Sequence, residues 1–349
     1  MNSTTVAVDL AKDVFELAIA GPDWKITERR RLTRTKFAQF FVNRPACRVI
    51  MECCGSAHYW ARKIAESGHQ VELIPAQYVR AYVKRNKTDR ADAAALLEAA
   101  RCSDIRPVPV KTIEQQQVQS LHRLREQWKK ARHRYINGLR GILREFGVMI
   151  PLGVAAAEKH IGLALARPDS GIPDGLRPTL SEMLSEARAL DDRMTRVERT
   201  LASLSRSDEV VRQLRTIPGI GLLNGTAIRA AAGDIQRFPS GRHFASWFGI
   251  TARERSSAET RRLGRISKQG DTYLRTLLVH GARSALQAAV RSERSGRPLN
   301  RLQQWALDCQ ARCGKNKAAV ALANRLARIV WATWKYERPF DGNWGATAS

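Results

Sequence analysis

"TTVAVDLAKDVFELAIA", residues 4–20, contains two apolar runs, 4–10 and 14–20, on either side of a polar turn at Ala11–Asp13. Runs of this length, rich in valine and bounded by turn residues, predict two short β-strands. One residue breaks the first run. Asp9 stands at the middle or end of "VAVDLA", where it either begins the turn or is held for chemistry. A carboxylate inside an apolar strand is costly to bury without a partner.

Working outward, a third strand is expected over about 24–31. "CRVIMEC" at 47–53 is a buried-strand run that carries Glu52, and "AHYWARKIAESG" at 57–68 is an amphipathic helix closing on Gly68. "VELIPA" at 71–76 is a further strand. Three leading strands followed by alternating helices and strands predict an α/β domain, ending near residue 105.

"NKTDRADAAALLEAA", residues 86–100, puts Asp89 and Asp92 three apart at the start of an alanine-rich helix, just after Lys84, Arg85 and Lys87. Residues three apart share a helix face. One reading makes them helix-start residues, with Asp89 as a cap and Asp92 favouring the positive end. The other joins them to Asp9 and Glu52 as oxygen ligands of the kind that suit Mg²⁺ or Mn²⁺. Two such ions can assist phosphodiester cleavage, with Lys84, Arg85 and Lys87 holding the nucleic-acid backbone nearby. Acids on the first strand, the fourth strand and a late helix resemble the layout of the ribonuclease H/RuvC-like nuclease fold.

The chain has 349 residues and a formal net charge of +26. A charge this positive points to a polyanionic partner, nucleic acid before an anionic membrane. The excess is concentrated in the last hundred residues and over 101–150. An apolar fraction of 44% excludes wholesale disorder. No stretch reaches the roughly 18 consecutive apolar residues of a membrane span. "MNSTTVAVDLAKD" lacks the basic lead and long apolar run of a signal peptide, so a cytoplasmic location is expected. The six cysteines, 47, 53, 54, 102, 309 and 313, form no C-x-x-C pair and are expected as reduced thiols.

Apolar residues recur every three or four positions from Val118 to Phe146, predicting a long helix over 112–147. Its other face carries Arg123, Arg125, Lys129, Lys130, Arg132 and Arg134. A second long helix is expected over about 178–206, after a Gly/Pro-containing link at 148–177. The pair predicts an antiparallel hairpin or a dimerising coiled coil.

A mostly helical region follows over about 208–342, with a loose tail at 343–349. "IPGIG" at 217–221 allows a tight turn at Gly219 and Gly221, before backbone N–H groups that can bind a phosphate. It resembles the hairpin of a helix-hairpin-helix DNA-binding motif; an ordinary inter-helix turn is the alternative. In "FASWFGITARERSSAETRRLGRISKQGDTYLRTLL", Arg253, Arg255, Arg261, Arg262, Arg265 and Lys268 surround Ser256 and Ser257. A serine hydroxyl becomes a nucleophile only when something lowers its cost of ionisation. Neighbouring arginines or a metal can do so; otherwise both serines are solvated loop residues.

Five segments in this order, "VAVDLAKDVFELAI", "MECCGSAHYW", "NKTDRADAAALLEA", "IPGIG" and the serine block, resemble the DEDD transposases of the insertion-sequence one-ten family, relatives of the Piv-type invertases. The resemblance covers about residues 4–340. It implies a RuvC-like domain over 1–105, a coiled-coil dimerisation region over 106–207 and a C-terminal transposase domain over 208–342. The four acids of the family motif fall on Asp9, Glu52, Asp89 and Asp92, and the nucleophilic serine on Ser257, with Ser256 beside it. The implied activity is Mg²⁺-dependent excision and insertion of the element through a covalent phosphoserine–DNA link. A non-coding bridge RNA selects both DNA partners, and the acids of one subunit in a homo-oligomer work with the serine of another. The implied setting is the bacterial cytoplasm, on the nucleoid when acting. Ala258 and Ala252 stand where members often have glycine and proline. A RuvC-like endonuclease that uses metal-activated water and no serine is the runner-up; a purely architectural nucleic-acid-binding protein is the third reading.

Overall fold

The computed structural model describes residues 4–82, 88–257 and 260–342, with Asp89 described by its backbone. Lys84, Arg85, Lys87 and the tail 343–349 lie outside the described residues. The chain divides into two compact units, 1–112 and 113–349.

The first unit is built on β1 (Thr5–Asp9), β2 (Val14–Ala20) and β3 (Ile26–Thr33), followed by α1 (Arg34–Phe40), β4 (Arg48–Glu52), α2 (Ala57–Glu66), β5 (Gln70–Ile74), α3 (Ala76–Val79) and α4 (Asp89–Arg101). The sheet order is β3-β2-β1-β4-β5. β1, β2 and β3 form an antiparallel meander, and β4 and β5 add in parallel beyond β1. The third strand begins and ends about two residues later than expected, because Trp24 takes a left-handed turn conformation at φ +62°.

Alternation gives the sheet two different faces. Val6, Val8, Phe15, Leu17, Val49 and Met51 turn toward Phe37, Trp60 and Ile64. Ala7, Ala18, Ala20 and Ile50 turn toward Ala93, Leu96 and Ala99 of α4. Small side chains on the second face let the alanine-rich α4 lie close against it.

The second unit opens with α5 (Ile113–Glu145), α6 (Val154–Ala166) and α7 (Arg177–Leu204). Arg125 pairs with Glu198, and Arg132, further along α5, with Asp191, earlier on α7. The two helices therefore run antiparallel within one chain. Arg125 and Arg132 face α7 rather than solvent, which corrects the basic stripe expected along α5. The link 148–177 also differs from expectation, since α6 forms inside it. Ala157 and Ile161, four apart, bury against Leu139, Leu180 and Leu184, a spacing masked by flanking glycine and proline.

The rest comprises α8 (Glu209–Leu214), α9 (Leu222–Ala232), α10 (Gly241–Trp247), the antiparallel pair β6 (Ala252–Glu254) and β7 (Leu263–Ile266), α11 (Thr272–Arg294), α12 (Arg301–Cys313) and α13 (Lys315–Lys335). Its core joins Ile217, Ile228, Phe244, Phe248, Leu278 and Leu326. The β6–β7 hairpin was not expected in a region that reads as helix and loop.

Candidate functional site

Asp9 and Glu52 end two neighbouring parallel strands. Val8 lies opposite Met51 in the register, so the next residues along are Asp9 and Glu52. By alternation both belong to the α4 face, with Ala7 and Ile50. Both are half-buried. Burial first, then the charges of Glu52 and Asp9, pushes the Cys54 thiol up to about 11. The two carboxylates thus bear on one small volume at the strand ends.

The first turn of α4 sits at this end of the sheet. Its Arg90 is 3.9 Å from Glu16, and Glu16 is the cross-strand partner of Asp9. The Arg29 guanidinium also donates to the Arg90 carbonyl at 3.1 Å. Thr88 is the N-cap, its hydroxyl accepting from the Ala91 N–H at 3.2 Å. The capping role considered for Asp89 is therefore filled by Thr88. Asp92 is half-buried one turn before Leu96, on the stripe that meets the sheet. Among the described residues, no group of three or more His, Cys, Asp or Glu side chains is close enough to hold a metal ion. The Asp89 side chain lies outside that set.

Ser256 and Ser257 lie near the tip of the β6–β7 hairpin, in the second unit. An isolated bridge pairs Ser257 with Thr260. The Ser256 hydroxyl donates to Glu254 Oε1 at 2.7 Å and accepts from the Arg262 N–H at 3.2 Å. With Arg261, that hydrogen bond holds the Glu254 carboxyl below the usual carboxylate range. Among the described residues, the exposed Ser257 hydroxyl has no hydrogen-bond partner.

The expected phosphate contacts divide. Arg253 is turned back on its own hairpin, donating to the Ser267 carbonyl at 2.8 Å. Arg261 pairs with Glu254 at 3.3 Å. Arg262 is exposed. Lys268 is exposed too, with a left-handed backbone at φ +56°. Arg275, at the start of α11, donates to the carbonyls of Phe248, Lys268 and Gly270 and so fixes the hairpin base.

"IPGIG" connects α8 to α9. Gly221 is the N-cap of α9, exposed, with open space where a Cβ would stand. Gly219, at φ +85°, packs against Gly281 of α11. Gly219 is thus a packing glycine, and Gly221 is the one that starts α9 without a side-chain cap on its first-turn N–H groups.

Two family models match the chain. A transposase model of the DEDD IS110 type matches residues 6–148, and one described as the transposase IS116/IS110/IS902 family matches 211–295. A probable family 20 transposase of Pseudomonas aeruginosa is 42% identical over 333 residues, covering 95% of this chain and 97% of that protein. The chain belongs to the IS110 family of transposases. The transposase for insertion sequence element IS1111A of Coxiella burnetii is 35% identical, covering 94% of this chain and 88% of that protein. A pilin gene-inverting protein of Moraxella bovis is 24% identical, covering 98% of each chain.

Within this IS110-family transposase, the first match spans all four acids and the second spans "IPGIG" and the serine hairpin. No helix among the described residues is long and apolar enough to cross a membrane. All six cysteines are free thiols. The sequence reading missed Glu16, 9% exposed and on the same face as Asp9. The signal was available: Glu16 interrupts "VFELAIA" as Asp9 interrupts "VAVDLA". It also missed His122, which joins α5 to Tyr273 and Thr226 through two 2.9 Å hydrogen bonds.

Proposed function

We propose that this transposase excises and inserts its own element, with Asp9, Glu52, Asp89 and Asp92 as one half of the catalytic machinery and Ser257 as the other. The order β3-β2-β1-β4-β5, with α4 across one face, supports a RuvC/ribonuclease H-like reading of the first domain. The observation that carries the acid assignment is the register that sets Asp9 beside Glu52 on the face covered by α4.

The donors fit a hard divalent cation by type, being carboxylate oxygens. Asp9, Glu52, Asp89 and Asp92 would hold Mg²⁺ or Mn²⁺, which supplies activation of the attacking oxygen and stabilisation of the leaving one. The accessible Ser257 hydroxyl, rather than the occupied Ser256, attacks phosphorus. Its Oγ–P bond forms as a bond from phosphorus to a deoxyribose oxygen breaks, and that oxygen takes the proton. A strand hydroxyl then reverses the step, so bond energy is conserved for rejoining. Arg255 and Arg262 carry positive charge beside the developing anion.

The family resemblance adds three elements to this reading. A bridge RNA pairs with the element ends and the target, the chain works as a homo-oligomer, and the acids and the serine come from different subunits. The division into nuclease, dimerisation and serine domains belongs to the same proposal.

The test is a detergent-stopped reaction with Mg²⁺, co-purified RNA and labelled junction DNA. Protein-linked DNA is expected with wild type and absent with Ser257→Ala, which still binds DNA. Free cut ends with both proteins would instead establish a water-using nuclease.

A further inference from the structure

A cleft of about 860 Å³ opens in the second unit among α10, α12 and α13. Arg242, Arg325 and Arg328 line it with Trp305 and Trp331, and no carboxylate does. Among the described residues, none of these three arginines forms an ion pair. The Arg325 guanidinium lies 4.5 Å from the centroid of the Trp305 ring. Trp331 is fixed by its indole N–H, which donates to the Phe238 carbonyl at 3.0 Å. A second cleft of about 670 Å³, lined by Asp341 as well, shares Arg325 and continues past Tyr336 and Arg338.

We infer that this trough binds an unpaired DNA strand. Uncompensated arginines along a groove call for a polyanion. A guanidinium already stacked on an indole, beside a second rigid indole, offers flat surfaces on which bases stack. Duplex DNA keeps its base faces against one another and has none to offer. The space falls in the range of small-ligand sites, roughly 300–1,000 Å³, so it admits a few nucleotides. DNA is the strand chosen because the chain belongs to a transposase family, and breaking strands exposes unpaired ends. The inference rests on the family and the trough, not on the acid or serine chemistry.

The test omits metal, so that no cleavage is required. A single strand of about 12 nucleotides, within the usual site sizes of such grooves, carries 5-iododeoxyuridine and is irradiated with the full-length protein. Crosslinks are expected on Trp305, Trp331 or Tyr336. In parallel, fluorescence anisotropy compares single-stranded DNA, duplex DNA and single-stranded RNA of equal length. Arg325→Ala should weaken single-strand binding about tenfold and leave duplex binding unchanged. Arg242→Gln, at an exposed position outside the core, should act in the same direction and guards against misfolding of the first variant. Crosslinks confined to other segments, equal losses for single strand and duplex, or RNA bound in preference to DNA would each overturn the inference.

Discussion

Gly219 and Gly281 meet backbone to backbone. A Cβ on Gly281 would stand 2.0 Å from the Gly219 carbonyl oxygen, and one on Gly219 would stand 2.4 Å from that of Gly281. Neither partner is a flexible side chain that can swing aside, so the turn before α9 is seated directly on α11.

Gly281→Ala should therefore destabilise the second unit by about 1–3 kcal/mol, the usual cost of overpacking. Gly221→Ser should be neutral or slightly stabilising, because it adds an N-cap hydroxyl in open space. Urea denaturation midpoints of the two variants check both statements, and equal midpoints would refute the contact.

Ser256→Ala should leave the covalent DNA adduct in place while slowing its formation several-fold. The Ser256 hydroxyl braces Glu254 and the Arg262 backbone across the hairpin, so its loss loosens the tip without removing the nucleophile. Quenched time courses separate this from Ser257→Ala, for which no adduct should appear. Loss of the adduct in Ser256→Ala alone would transfer the nucleophile role to Ser256.

His122 predicts a stability that falls on the acid side. Burial, with Arg125 nearby, lowers its pKa to about 4 from 6.5. The unfolded state therefore binds the proton first, and stability is lost as pH drops from about 6.5 toward 4. The full effect is on the order of 3 kcal/mol. Thermal unfolding across that window should show the slope in wild type and not in His122→Gln. Identical slopes would assign the acid sensitivity elsewhere.

Leu124 is 42% exposed on α5, although the sequence period places it with the core residues. If α5 also pairs between subunits, as proposed, Leu121→Glu with Leu124→Glu should yield monomers by light scattering. An unchanged oligomer would exclude this surface from assembly.

The sheet and its acids were legible because period-two alternation is a local property. "VAVDLA" and "CRVIMEC" each show a strand and its misplaced acid within seven residues. The long helices were legible by the same kind of local period. What escaped depends on distant partners. Arg125 and Arg132 look like exposed charges until α7 brings Glu198 and Asp191 to them. The β6–β7 hairpin is exposed on both strands, so no burial pattern marks it. Gly219 reads as a phosphate turn until Gly281, about sixty residues on, reveals the contact.

The alanine-lined face of the sheet sets how far α4 stands from β1 and β4. Ala7, Ala18 and Ala20 carry one methyl each toward a helix that answers with Ala93 and Ala99. Those methyls act as a depth gauge for Asp92, which rides on the helix while Asp9 and Glu52 stay with the strands. Ala18→Val replaces no acid, yet it should lift the helix and slow strand cutting before it unfolds the protein. Catalysis in this molecule would then be graded by the bulk of residues that never approach the DNA.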